Sequence, residues 1–514
     1  MGRSAAGVLV GVKPQRISHN FLYNLAGLTL PLGVAVVSVP LFVRYAGLER
    51  LGFLTLAFAV LGYLSLLDLG LTRVFARRIA VAAKRNELAY ERAILERAER
   101  WLLAGTSLLS VVLAVAVPTR WLAGADASPE LLAEVHWAWL PLVAALPALV
   151  LSNLWRGATE GLEAFAVSNA LRIGLGVATY AVPLLILIAT PRLPALVLGI
   201  AAVRWASYQQ FRHRCIRMLP RLEQRAHGRG LDLLRTALLE GGWMTLSNVI
   251  GPVMVVFDRF ALTTFVPLSV LSTYTVPQEL ALRAVVLPGA LSQTIFPRLA
   301  ALDASGGSDD AVATLVDKAL RAMLALMLPV CIAGLLLAQP ALALWVGRQF
   351  ASAAAPLLQI LLVGVIGNTI AQVPFGLLQA VGASRTTALI HLVELPIYLI
   401  AVWFAIRGGG VEGAALAWSG RMMVDALAMI VLARARQPSI LTVRGAYAAL
   451  MSSGGCAGAA LAMFPGGALA APWTLILVAV SVLVGATFLS RDEQRAVLSI
   501  ALPRRRTSTG AGEP

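Results

Sequence analysis

Residues 386–406 read TTALIHLVELPIYLIAVWFAI, and after the four residues RGGG, 407–410, the chain continues as VEGAALAWSGRMMVDALAMIVL over 411–432. Each run is mostly apolar and about 20 residues long, the length an α-helix needs to cover the roughly 30 Å hydrocarbon core of a bilayer. The two therefore read as consecutive transmembrane helices. Comparable runs extend outward on both sides, at roughly 21–44, 51–74, 101–117, 135–155, 165–189, 193–211, 238–258, 267–296, 319–338 and 355–381, then 445–464 and 472–489. The expectation is an all-α integral membrane protein of about fourteen spans.

Composition agrees. Of 514 residues, 59% are hydrophobic and only 13% are charged, yet the formal net charge is +16. A soluble chain of this length carries about a quarter charged residues, so its apolar surface must be covered by something other than water. The basic excess alone would suggest a nucleic-acid binder, but Arg and Lys concentrate in short connectors between apolar runs. That is where the positive-inside rule places cytoplasmic charge. Counted over alternate connectors, 31 basic residues fall on one side, seven on the other and four within spans. Both termini are therefore expected in the cytoplasm. The two most basic connectors, 73–100 and 212–235, read as topology determinants on amphipathic helices, with anionic lipid headgroups as an alternative role.

Chemistry is largely excluded by omission. There is no GxxxxGK[ST] phosphate loop, no GxSxG elbow and no HExxH pair. Cys215, Cys331 and Cys456 are far apart and offer neither a disulfide framework nor metal-ligand spacing. The expectation is a non-enzyme without cofactor or metal, and with no nucleic-acid partner. The basic segment after the sixth span divides the chain into an N-terminal lobe, 1–225, and a C-terminal lobe, 226–440. An accessory pair of spans and a basic tail follow over 441–514. Transporters are often built from two such related bundles rocking about a central site.

Ionisable residues inside the hydrocarbon cost about 2.5–3.5 kcal/mol on insertion scales and usually face protein or a water-filled cavity. Glu279 and Arg283 lie one turn apart in the eighth span, and Arg421 and Asp425 repeat the spacing in the twelfth. Each reads as an internal neutralising pair or as part of a site. Arg172 in the fifth span has no acidic residue at helical spacing. It suits an anionic group, since guanidinium presents a fork of donors matched to phosphate oxygens, or it snorkels to the interface. Arg259, beside Asp258, is placed at an outer span end, where it meets a departing anion or is an ordinary end residue. Asp68, Glu394 and Asp258 are carboxylates able to take up protons or sodium. Asp68 is close enough to Arg73 for a structural pairing, whereas Glu394 has no cation at helical spacing and is the better coupling candidate. His391, beside it, reads as a packing residue.

Several segments resemble the polysaccharide flippase family, the O-antigen-type transporters of the multidrug/oligosaccharidyl-lipid/polysaccharide exporter superfamily. They are NFLYNLAGLTLP, RYAGLERLGFLTL and YLSLLDLGLTRVFARRIA in the first two spans. In the seventh and eighth they are GGWMTLSNVIGPVMVVFDRFAL and STYTVPQELALRAVVLPGALSQTIFPRLA. The resemblance implies two six-helix lobes plus an added pair in a bacterial inner membrane. It also implies a polyprenyl-diphosphate-linked oligosaccharide as cargo, moved to the outer leaflet through a cationic cavity. Arg172, Arg283 and Arg421 would then hold diphosphate and Arg259 would meet it on the outer side. Membrane lipids, and polysaccharide polymerase or ligase machinery, would be partners. The alternatives are an ion-coupled multidrug or metabolite antiporter of the same superfamily, and a non-transporting assembly subunit for envelope biosynthesis.

Overall fold

The computed structural model describes residues 30, 33–64, 71–85, 87–220, 242–304, 309–381 and 383–436. Among them there is no β-strand, only an isolated bridge between Gly124 and Pro267. The helices are α1 (Gly33–Tyr45), α2 (Leu48–Leu64), α3 (Leu71–Arg85), α4 (Leu88–Ala116), α5 (Thr119–Leu122), α6 (Pro129–Ala144) and α7 (Leu146–Gly161). They continue as α8 (Phe165–Ala189), α9 (Leu193–Met218), α10 (Gly242–Thr263), α11 (Leu268–Ala304), α12 (Asp309–Trp345), α13 (Arg348–Ala380) and α14 (Ser384–Arg436). Among the described residues, six helical stretches are long and apolar enough to cross a membrane. The expected spans at 445–464 and 472–489 lie outside the described residues.

Two compact units divide the chain, Met1–Ser272 and Thr273–Pro514. In the first, Phe75 and Ile79 of α3, Leu95 of α4, Leu154 and Trp155 of α7, and Phe211 and Cys215 of α9 form one buried cluster. The basic connector 73–100 is not a free amphipathic surface. It folds into α3 and α4, where Arg78 grips Glu91 through two hydrogen bonds of 3.0 and 2.6 Å. Arg92 donates to the Leu219 carbonyl at 2.9 Å, satisfying the end of α9. Glu99, 6% exposed, accepts from Trp155 Nε1 at 3.1 Å, from the Tyr208 hydroxyl, and from Arg212 Nε at 2.9 Å.

The connector before α6 is also fixed. Ser128 caps α6 by accepting from Leu131 N at 3.2 Å, Pro129 supplies a pre-set φ, and Glu130 favours the positive end of the helix. Trp121 donates to the Thr264 hydroxyl and stacks on Phe260, while Ala125 N donates to Val266 O at 3.1 Å. At the start of α2, Arg50 makes a forked pair with Glu134 at 2.7 and 2.8 Å, and Glu134 also accepts from Leu193 N at 3.2 Å.

In the second unit, α12, α13 and α14 share a core that includes Met323, Leu324, Val373, Leu377, Ala426 and Met429. α14 is two helices joined at Gly410, whose φ of 53° and ψ of −130° break the ladder in a conformation open essentially to glycine alone. A Cβ on Gly413 would run into the Ala405 carbonyl, so the second arm lies directly against the first. Residues 386–406 and 411–432 thus form an antiparallel helical hairpin.

Candidate functional site

The hairpin reversal brings the polar residues of both arms to one level. Arg421 Nε donates to Glu394 Oε1 at 3.0 Å, and His391 Nε2 lies 3.3 Å from Asp425 Oδ1. The order is what an antiparallel pair requires: His391 precedes Glu394 on the first arm, and its partner Asp425 follows Arg421 on the second. The side chains are 19%, 12%, 10% and 10% exposed for His391, Glu394, Arg421 and Asp425, so four ionisable groups share one nearly water-free locus.

α13 packs along both arms and supplies the surroundings. Phe375 stacks on the His391 imidazole with ring centroids 6.0 Å apart, and Ser419 donates to the Ile360 carbonyl at 2.7 Å. Gln379 Nε2 donates to the Thr387 hydroxyl at 2.9 Å, and Asn368 Nδ2 approaches Met422 Sδ at 3.6 Å. The Arg421 guanidinium also lies over the Tyr398 ring, 5.6 Å from its centroid.

Three sequence expectations change here. Arg421 and Asp425 stand at the i,i+4 spacing of an internal pair, yet each takes its partner from the other arm. Glu394, which lacks a cation at helical spacing on its own arm, gains one from across the hairpin. His391 is more than packing, since it faces a buried carboxylate. Its nitrogen, a Glu394 oxygen and an Asp425 oxygen all lie within 4.8 Å of one another. The donor set does not suit calcium or magnesium, which take about six or more oxygens, and a guanidinium already occupies Glu394.

The remaining candidates are not gathered into this cluster. Arg172 is exposed about two turns into α8. Arg283 is exposed and Glu279 half-buried in α11. Asp258 and Arg259, expected at an outer span end, are both fully buried one turn before α10 ends. Asp68 lies outside the described residues. Sequence reading passed over two charged groups that the structure makes prominent, Glu99 and Glu134. Both sit in connectors, and only the folded chain brings their donors to them.

Residues 17–303 match the family model described as polysaccharide biosynthesis protein. A Shigella flexneri protein assigned as an O-antigen transporter is 30% identical over 428 residues, covering 80% of this chain and 96% of that one. Among solved structures, an inward-facing multidrug resistance MATE family transporter of the MOP superfamily superposes with a TM-score of 0.66 at 14% identity, covering 82% of this chain and 99% of its own. The lipid II flippase MurJ in an inward closed conformation gives 0.63 at 14% identity, with 94% and 100% covered.

Proposed function

Because this chain belongs to the polysaccharide biosynthesis protein family and has the fold of MOP-superfamily transporters, we propose that it is a flippase for lipid-linked oligosaccharide. The cargo is a polyprenyl-diphosphate-linked glycan carried from the cytoplasmic to the outer leaflet of the bacterial inner membrane by alternating access. The observation that carries this reading is the 30% identity to the assigned O-antigen transporter, sustained over four fifths of the chain. Two lobes, 1–225 and 226–440, would rock about the cargo, with both termini cytoplasmic, and the protein would act without catalysing a bond change.

In this reading each candidate residue has a role. Arg172 and Arg283 are exposed, and diphosphate would bind at their guanidinium groups. Arg421 is held by Glu394, so an anion reaching it must displace that carboxylate. Arg259 and Asp258 are buried and would meet cargo only after α10 is uncovered. Glu394 and Asp425 are the coupling carboxylates, while Asp68 and Glu279 serve as pairing groups.

A second reading, an ion-coupled multidrug antiporter, is favoured by the MATE-like fold alone. The decisive experiment is deletion of the gene in its own host, followed by leaflet-resolved analysis of lipid-linked oligosaccharide. The flippase reading expects glycan-loaded carrier to accumulate on the cytoplasmic side and surface polymer to disappear. Intact polymer together with sensitivity to organic cations would replace it with the antiporter.

A further inference from the structure

We propose that the hairpin cluster is a binding site for one proton, carried on the His391 imidazole between Glu394 and Asp425. With a neutral imidazole, the cluster holds two carboxylates against one guanidinium and has a formal charge of −1. All four side chains are at least four fifths buried, and a net charge left unpaired in such a place is strongly unfavourable. One added positive charge brings the cluster to zero, whereas a divalent ion would overshoot.

Hydrogen bonding points the same way. Glu394 Oε2 and Asp425 Oδ1 are buried acceptors without a hydrogen-bond donor among the described residues. His391 Nε2 lies 3.3 Å from Asp425 Oδ1, and an imidazolium, unlike either neutral tautomer, carries a proton on both ring nitrogens and so donates from that side whichever nitrogen is otherwise engaged. A sodium ion is poorly served, since an imidazole nitrogen is a poor ligand for a hard cation and the guanidinium is bound to Glu394. The Phe375 ring face at 6.0 Å favours a cationic imidazole over a neutral one. The charged groups acting on Glu394 are Arg421, Asp425 and His391. α13, the helix packed along the hairpin, carries no titratable side chain beyond Arg348 at its start and places Phe375 against His391.

Only the role of this proton in a transport cycle rests on the flippase reading; its binding does not. The test uses the full-length protein in nanodiscs with ring-¹⁵N-labelled histidine. The chain has five histidines, and His391→Asn assigns the signal of interest. The His391 resonances are expected to pass from the neutral to the imidazolium pattern between pH 9 and pH 5, whether the salt is sodium chloride or choline chloride. In Glu394→Gln/Asp425→Asn the His391 signal stays neutral down to pH 5, while the other four titrate as before. A wild-type signal fixed over this range overturns the proposal, as does saturable displacement of the imidazolium by sodium at constant pH. Wild-type titration in a folded double variant overturns it too. A titrating His391 in a protein whose deletion leaves surface polymer intact would keep the proton site and remove the flippase.

Discussion

Arg421 hydrogen-bonds Glu394 at 3.0 Å across 27 residues of sequence, although Asp425 lies one helical turn away on its own arm. The direction of helical side chains accounts for this choice. They lean toward the helix N-terminus, so an acid four residues after an arginine is the less favourable orientation of the pair. The hairpin then offers Arg421 a carboxylate on its own level, and Asp425 is left to face His391.

Truncating one member of this pair strands the other in a nearly dry site. Glu394→Ala and Arg421→Ala are each expected to destabilise by about 3–5 kcal/mol. The double variant Glu394→Leu/Arg421→Met should cost clearly less than the sum. A double-mutant cycle on unfolding in mixed micelles checks this, and additive losses would show that the two side chains do not interact.

At the reversal, Gly413→Val places a branched side chain against the Ala405 carbonyl. Overpacking of this kind costs about 1–3 kcal/mol, so the unfolding temperature in detergent should fall. A substitution with no Cβ clash nearby, Gly408→Ala, serves as the control and should leave it nearly unchanged.

By the 135–155 bounds read from the sequence, Glu134 sits just before its span, in the first two turns of α6. The Arg50 hydrogen bond, opposed in part by burial, holds its carboxyl below the usual glutamate value. A lowered value in the folded state means the pair stabilises fully above the ordinary glutamate range, and the contribution fades as pH falls through the lowered value. Arg50 is 34% exposed, so solvent screening keeps the effect to about 1 kcal/mol or less. Wild type should lose slightly more stability than Glu134→Gln between pH 7 and pH 3. Equal losses would mean the pair is ornamental.

Arg172→Ala and Arg283→Ala should each lower surface polysaccharide about tenfold or more, the loss of one charge-assisted contact with phosphate. Protein levels in the membrane should stay unchanged by immunoblot. Normal polymer in both variants would remove diphosphate recognition from these residues.

The helical segments on either side of 407–410 were legible from apolar run length alone, and Glu394, Arg421 and Asp425 stood out because charge is rare there. Their pairing was not legible. Sequence spacing reports neighbours on one helix, whereas partners across a hairpin depend on where the turn falls, here Gly410. His391 read as a packing residue for the same reason. Glu99 was hidden differently: it lies among many charges in a connector, and nothing local distinguishes it until α7 and α9 deliver Trp155, Tyr208 and Arg212.

The hairpin also bears on how the protein is made. The first arm leaves the ribosome carrying Glu394 with its countercharge not yet synthesised, and Arg421 follows 27 residues later. Each charge alone raises the cost of leaving the insertion machinery by about 2.5–3.5 kcal/mol, whereas the closed pair enters lipid nearly neutral. The two arms are therefore expected to partition into the bilayer together. A chain truncated after Gly410 should fail to lodge its last segment stably, and glycosylation mapping of the nascent protein would reveal it.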